Sequence, residues 1–377
     1  MTGMPSRAQS TVIGLRPPTL QTILESIAKN IAIVQARSDS RIMAVVKADG
    51  YGHGALTVAH AAVAAGAQWL GTTDFGEAVT LREAGLSVPI LTWLNPAGFD
   101  AGAAAAGGID LAVGSVEELQ TILEQPSAAA VRVHLHMDTG MSREGVPHSE
   151  WDAIILRAVE GQRRGKIRIV GLMGHLPLAD RADPRANEEA VSLMHEAKAK
   201  VTAAGFDDPL THLAATAGAL TDPATHFGMI RLGAGLVGID PSGTTDLSGA
   251  SRLTAPIVHN ATVKSGTAVG YGGTYITDRT TRLSTLPVGY ADGIPREISP
   301  DASVEIHGYR YPVVGRVSMD QIIINTGATY YPRGTTATVF GPQDGVTPTI
   351  QDWGGWAGTI PHTIVTNIGS RVKRTIA

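Results

Sequence analysis

The residues with the greatest chemical reach in this sequence gather around Lys47. It closes a short apolar run, Ile42 to Val46, and opens a loop with three glycines, Gly50, Gly52 and Gly54, that also holds Tyr51 and His53. An apolar run of this length reads as a buried strand, and the glycines read as a tight turn leaving it. An ammonium at the end of a buried strand costs on the order of several kcal/mol unless it is paired or neutral. Two arrangements satisfy that. Lys47 reaches water or a carboxylate, with Asp49 the nearest, or its amine is uncharged because it forms a Schiff base, which desolvation favours by lowering its pKa. Glycines that let the backbone approach a ligand, and the polar tips of Tyr51 and His53, shift the balance to the second. Other groups able to act with it are His136, Asp138, His175, Thr216 and Arg231. Singly, each has a plain structural use, such as a satisfied buried histidine, a helix N-cap or a salt-bridging arginine.

The elements that must position these groups alternate along the chain. Short apolar runs occur at Ile42–Val46, Trp69–Thr72, Ile90–Leu94, Leu111–Val113, Val131–His136, Ile169–Gly174, Thr211–Ala214 and Met229–Leu232. Helical patterns separate most of them, among them Phe75–Ala84, Val116–Glu124, Trp151–Gly161 and Asn187–Ala204. Pro18 to Arg37 reads as an amphipathic helix ahead of the lysine strand. Eight β-then-α units over roughly 200 residues predict a parallel (β/α)8 barrel of the TIM type, with a doubly wound sheet as the runner-up on pattern alone. No glycine-rich dinucleotide fingerprint follows the first strand, which weakens that alternative. In a barrel the strand carboxyl ends converge on one face. Lys47, His136, Asp138, His175, Thr216 and Arg231 with Gly233 and Ala234 all fall at or just beyond such ends, a coincidence that the plain readings do not explain. After about Pro241 a loop of Ser, Gly and Thr leads to short β-branched runs, Ile257–Val263, Thr281–Pro287, Ser303–Ile306, Tyr311–Val317, Gln321–Asn325 and Thr335–Phe340, with helix periodicity only at Ile350–Trp356. The expected division is a barrel over 12–245 and a mostly β domain over 246–377.

Composition narrows the function. Hydrophobic residues make up 43% of the chain and charged residues 17%, a compact globular balance. The formal net charge of −4 with no basic run argues against nucleic acid as a partner. With no cysteine, disulfides, thiolate nucleophiles and cysteine-ligated metals are excluded. The polar amino end, Met1 to Ser10, lacks an apolar signal core, and no stretch is long and apolar enough to span a membrane. A cytoplasmic enzyme is the expectation.

The run Ala44-Val45-Val46-Lys47-Ala48-Asp49-Gly50-Tyr51-Gly52-His53-Gly54 closely resembles the cofactor-lysine motif of alanine racemases. That resemblance implies pyridoxal 5'-phosphate carried on the Lys47 amine, with Tyr51 bonding its phosphate, and no metal. Asp138-Thr139-Gly140-Met141-Ser142-Arg143-Glu144-Gly145 resembles the family's second motif, which implies that Arg143 contacts the cofactor's phenolic oxygen and orients the substrate carboxylate. Gly171-Leu172-Met173-Gly174-His175 and Met229-Ile230-Arg231-Leu232-Gly233 are similar to segments that imply His175 against the pyridine ring and Arg231 opposite its nitrogen. An arginine cannot accept a proton, so the nitrogen stays unprotonated and the electron sink is shallower, which limits side reactions. Thr216, the Gly233 and Ala234 amides and Tyr51 are the candidate phosphate donors.

Three stretches of the second domain also resemble family motifs, Val269–Tyr275, Pro287–Gly293 and Gly315–Asp320. They imply Tyr290 at the cofactor, Met319 at the substrate, and Tyr271 in the partner subunit's active site, hence an obligate homodimer. The implied reaction is interconversion of L- and D-alanine by two bases, Lys47 for the D-side proton and Tyr271 for the L-side, supplying D-alanine for peptidoglycan. Two positions depart from the pattern. His136 stands where many members have a lysine modified to a carbamate, which leaves open what anion fixes Arg143. His362, in Pro361-His362-Thr363-Ile364, stands where many have a tyrosine, which keeps a racemase of serine or another small amino acid in view. A barrel-type decarboxylase is disfavoured by the absent cysteine and by an arginine in place of an acidic group at the ring nitrogen.

Overall fold

The computed structural model describes residues 17–96 and 98–377. The amino end from Met1, including the expected domain start at residue 12, lies outside the described residues. The chain forms two compact units. One takes Thr22–Ser251 with Ile360–Thr366 and the last two residues, and the other takes Arg252–Thr359, Asn367–Thr375 and the chain up to Gln21.

After a first strand, β1 (Thr19–Thr22), the barrel unit is built from β2 (Arg41–Val45), β3 (Trp69–Thr72), β4 (Ile90–Thr92), β5 (Ile109–Val113), β6 (Val131–His136), β7 (Ile167–Met173), β8 (Leu210–His212) and β9 (Met229–Leu232). These eight lie in the order β8-β7-β6-β5-β4-β3-β2-β9, each neighbouring pair parallel. The sheet closes on itself where Gly228 N–H donates to Thr211 O (3.0 Å) and Arg231 N–H to Ala214 O (3.0 Å). Every expected strand of the barrel is present, shifted by at most two residues at its start. Apolar side chains pack part of the interior, with Met43, Val45, Trp69, Leu91, Ala112, Met173 and Met229 together. Outside, helix Leu24–Gln35 buries Ile27, Ile31 and Val34 along one stripe. Asp74, Asp100 and Ser115 cap the helices at Phe75–Glu83, Ala101–Gly107 and Val116–Glu124, each side chain accepting an orphan N–H three residues on.

The second unit is mostly β, as expected. Its strands are β10 (Ser251–Pro256), β11 (His259–Val263), β12 (Ala268–Val269), β13 (Tyr275–Ile276), β14 (Thr281–Leu286), β15 (Ser303–Ile306), β16 (Tyr309–Pro312), β17 (Ile322–Gly327), β18 (Thr336–Phe340) and β19 (Lys373–Ile376). A six-stranded sheet runs β16-β15-β18-β10-β1-β19, a three-stranded one β11-β14-β17, and β12 pairs with β13. Trp353, fully buried on helix Ile350–Trp356, donates from its indole to Val339 O (2.7 Å).

Beyond β10, β12, β13, β19 and the helix Pro361–Thr366, which the sequence pattern does not predict, two expected segments take a different form. The expected helix over Pro18 to Arg37 starts only at Leu24, and its first residues are β1. Pairing of β1 between β10 and β19 overrides a spacing of apolar residues that fits a helix equally well. The stretch Tyr311–Val317 strands only through Pro312, then touches β17 by a single bridge at Val313. Among the described residues no helix is long and apolar enough to cross a membrane.

Candidate active site

Lys47 leaves β2 into an unusual turn. Ala48, Asp49, Gly50 and Tyr51 all have φ between 52 and 61°, a left-handed turn in which only one residue is glycine. Left-handed backbone costs roughly 1–2 kcal/mol for each residue with a Cβ, so this turn persists because the surroundings hold it. Gly50 N–H donates to Val46 O (2.8 Å) and Gly54 N–H to Asp49 O (2.8 Å). Glu77 accepts from Ala48 N–H (2.9 Å) and Thr73 N–H (2.8 Å). The Asp49 carboxylate accepts from Ala55 N–H (2.8 Å), so it is committed to opening the next helix. A Cβ at Gly52 would lie 2.2 Å from Val365 O, and this close approach seats helix Pro361–Thr366, with His362, beside the turn.

The turn delivers Lys47 and Tyr51 to a cavity of about 330 Å³ at the carboxyl ends of the barrel strands, shared with Trp93, His136, Arg143, His175, Thr216, Arg231, Gly233, Ala234 and His362. Burial, reinforced by the Arg143 charge, lowers the Lys47 pKa and favours a free amine. Its Nζ sits 5.8 Å from the centre of the Trp93 ring. Tyr51 is pushed up to about 12 by burial, so its phenol works as a hydrogen-bond donor. Gly233 leaves the space that the Tyr51 tip fills, since a Cβ there would be 2.3 Å from Oη. Thr216 Oγ1 accepts from Gly235 N–H (3.0 Å), tying the loop after β8 to the loop after β9.

Arg231, on β9, is buried under this cavity and pinned by five acceptors. Nη1 donates to His212 Nδ1 (3.0 Å) and His212 O (3.1 Å). Nη2 donates to Gly174 O (2.8 Å), His175 Nδ1 (3.0 Å) and Leu213 O (3.2 Å). Burial lowers Arg231 to about 10, which still leaves it charged at neutral pH. Burial and then the Arg231 charge push His175 down to about 3, so its ring is neutral and keeps its proton on Nε2.

Arg143 is exposed on a loop whose turn is set by Asp138, whose Oδ1 accepts from the N–H groups of Gly140 (3.0 Å), Met141 (3.0 Å) and Ser142 (3.1 Å). Thr139 Oγ1 donates to His175 O (2.8 Å) and accepts from His175 N–H (3.1 Å), locking this loop to the end of β7. His136 Nδ1 lies 3.6 Å from Glu144 Oε1, and that oxygen, like His362 Nδ1, is buried without a hydrogen-bond partner among the described residues. Glu144 is the anion nearest His136, a residue the sequence reading passed over although it adjoins Arg143. Trp93 was also missed; it directly follows β4, so the strand-end rule that found His175 would have found it.

Of the residues singled out, Lys47, Tyr51, Arg143, His175, Thr216, Arg231, Gly233 and Ala234 line one cavity of the barrel unit. Tyr271, Tyr290 and Met319 belong to the other unit, where they are 70%, 38% and 52% exposed. Tyr271 rides a tight turn, Tyr271–Gly273, flanked by glycines at positive φ.

The chain combines an eight-stranded parallel barrel, whose first strand leads into a desolvated lysine, with a mostly β unit. The alanine racemase N-terminal domain family matches residues 23–241 and the alanine racemase C-terminal domain family residues 250–376. The chain belongs to the alanine racemase family. The alanine racemase of Salinispora tropica is 39% identical over 356 residues, covering 93% of this chain and 96% of that protein. The solved alanine racemase of Streptomyces lavendulae superposes with a TM-score of 0.91 at 32% identity, covering 97% of this chain and 98% of the other. That of Bartonella henselae, described with covalently bound pyridoxal phosphate, gives 0.84 at 26% identity, covering 96% of this chain and 100% of its own.

Proposed function

We propose that this chain interconverts L- and D-alanine using pyridoxal phosphate bound at Lys47. The carrying observation is that a desolvated amine shares one cavity with a buried arginine held by five acceptors and a set of polar groups from the neighbouring strand ends. The cavity suits the cofactor, because a lysine amine, the Tyr51 phenol seated against Gly233 and the Thr216 hydroxyl stand on its walls. When bound, pyridoxal phosphate withdraws electrons from the substrate and so acidifies its Cα–H.

The residues divide the remaining work. Tyr51, Thr216, Gly233 and Ala234 hold the phosphate, with Tyr290 assisting. His175 and Arg231 would hold the ring end of the cofactor, with Arg231 offering charge but never accepting a proton. Arg143 orients the substrate carboxylate, and Met319 borders the substrate. Racemisation needs a proton removed on one face and returned on the other, so two bases serve better than one. Lys47 Nζ handles the D-side proton and Tyr271 Oη the L-side. Tyr271 is exposed on its own subunit and is proposed to complete the partner's site, making the working form a homodimer in the cytoplasm that supplies D-alanine for peptidoglycan. The test is to incubate purified protein with pyridoxal phosphate, reduce with borohydride, and map the adduct while following D-amino acid release from L-alanine, L-serine and larger substrates. An adduct on Lys47 with alanine turned over fastest is expected. Colourless protein with no adduct on Lys47 refutes the proposal.

A further inference from the structure

We infer that Asp110, deep in the barrel on β5, is a positioning residue for Arg231, acting through two buried histidines. Asp110 Oδ2 lies 3.2 Å from His134 Nε2, His134 Nδ1 lies 2.9 Å from His212 Nε2, and His212 Nδ1 lies 3.0 Å from Arg231 Nη1. The carboxylate also accepts from Arg132, Oδ1 from Nε at 2.6 Å and Oδ2 from Nη2 at 3.2 Å. Asp110, His134, His212 and Arg231 are all buried.

The direction of every bond in this chain is dictated from one end. Arginine only donates, so His212 Nδ1 accepts and its proton sits on Nε2. That proton points at His134 Nδ1, which accepts, leaving the His134 proton on Nε2, where Asp110 receives it. A carboxylate is the one side chain here that ends the series as a pure acceptor. Without it, His134 is free to move its proton to Nδ1. His212 then faces a donor on that side and moves its own proton to Nδ1, where it opposes the N–H of Arg231. Asp110 excludes the arrangement in which the arginine is repelled from its seat. Space is reserved for the relay too, since a Cβ on Gly171 would fall 1.9 Å from His134 Nδ1.

The functional consequence rests on the proposal that Arg231 helps hold the ring end of the cofactor, so the test has one arm independent of it. In chain carrying 15N-labelled histidine and no cofactor, the wild type should show single tautomers at His134 and His212. Asp110→Ala should mix them, and Asp110→Asn, which keeps an acceptor oxygen, should restore them. Asp110→Leu, which keeps the branched shape, replaces the alanine variant if that one fails to fold. Arg132→Ala should lower the melting temperature and leave the tautomers unchanged. In the second arm, pyridoxal phosphate affinity should fall about five- to tenfold in Asp110→Ala and return to within about twofold in Asp110→Asn. Wild-type tautomers in Asp110→Ala, failure of Asp110→Asn to rescue, or equal mixing in Arg132→Ala would overturn the inference. A wild type that binds no cofactor while the tautomers behave as described would refute the proposed function and leave the relay standing.

Discussion

Gly233→Ala isolates the contact between the cofactor cradle and the lysine turn. Gly233 has φ of −118° and ψ of −84°, so alanine meets no positive-φ penalty there and the added cost is mainly one of space. The new Cβ would lie 2.3 Å from Tyr51 Oη and 3.0 Å from Cζ. Tyr51 has little freedom to retreat, because its backbone belongs to the left-handed turn that follows Lys47. The ring must yield by about 1 Å, and overpacking of this kind costs roughly 1–3 kcal/mol. Expressed as lost affinity for pyridoxal phosphate, that is about five- to 150-fold. Absorbance titration of the cofactor-free protein measures it. Tyr51→Phe removes Oη, so in that background the nearest ring atom stands at 3.0 Å and the same alanine should cost less. The difference between backgrounds should reach about 0.5–3 kcal/mol, as expected for residues in contact. Equal losses in both backgrounds, or unchanged affinity in Gly233→Ala, would refute the reasoning.

Tyr271→Phe should leave thermal stability within about 0.5 kcal/mol, since the ring is exposed on its own unit, and should cut racemisation in both directions by about 10²–10⁴, with unequal isotope effects. Wild-type rates would remove Tyr271 from the chemistry. His175 is held at about 3 by burial and the Arg231 charge, against an unfolded value near ~6.5. The unfolded chain therefore binds more protons between those values, so stability that is complete above about pH 6.5 drains as pH falls toward 3. Urea unfolding of the cofactor-free protein between pH 7 and 4 should show a shallower loss in His175→Gln, and an unchanged slope would contradict the assignment.

The barrel was legible because strands covered on both faces are continuous apolar runs, and their ends named most of the cavity. What escaped notice had a physical cause in each case. β1 was concealed because Leu20, Ile23, Leu24 and Ile27 fit a helix phase as well as a strand followed by a helix. β19 is largely exposed and carries Lys373 and Arg374, so it lacks the apolar signature altogether. The apolar pattern places a strand start at Leu111, whereas β5 begins at Ile109 and Asp110 lies wholly inside. A buried carboxylate reads as a boundary until its partners are known, and Arg132 and His134 are 22 and 24 residues away. The strands were encoded locally, but the relay under Arg231 depends on distances across the barrel that no local pattern carries.

The charge balance of the cavity turns on Glu144, and its sign is open to experiment. At 3.6 Å from His136 Nδ1 its carboxylate is beyond hydrogen-bonding distance, and only 19% of its side chain is exposed. Lys47 is drawn both ways: burial and Arg143 lower its pKa, while Glu144 and Glu77 raise it. Glu144→Gln removes one of the opposing anions at nearly constant volume, so the Lys47 amine should lose its proton at a lower pH. The rate at which the cofactor-free protein takes up pyridoxal phosphate, followed by absorbance against pH, reports that midpoint, because only the free amine attacks the aldehyde. The midpoint should move down in Glu144→Gln and stay in place when the exposed Glu25 is changed to Gln. If it instead moves up or does not move, the carboxylate beside His136 does not act on the lysine, and the anion that balances Arg143 and Arg231 must come from the bound phosphate and the substrate.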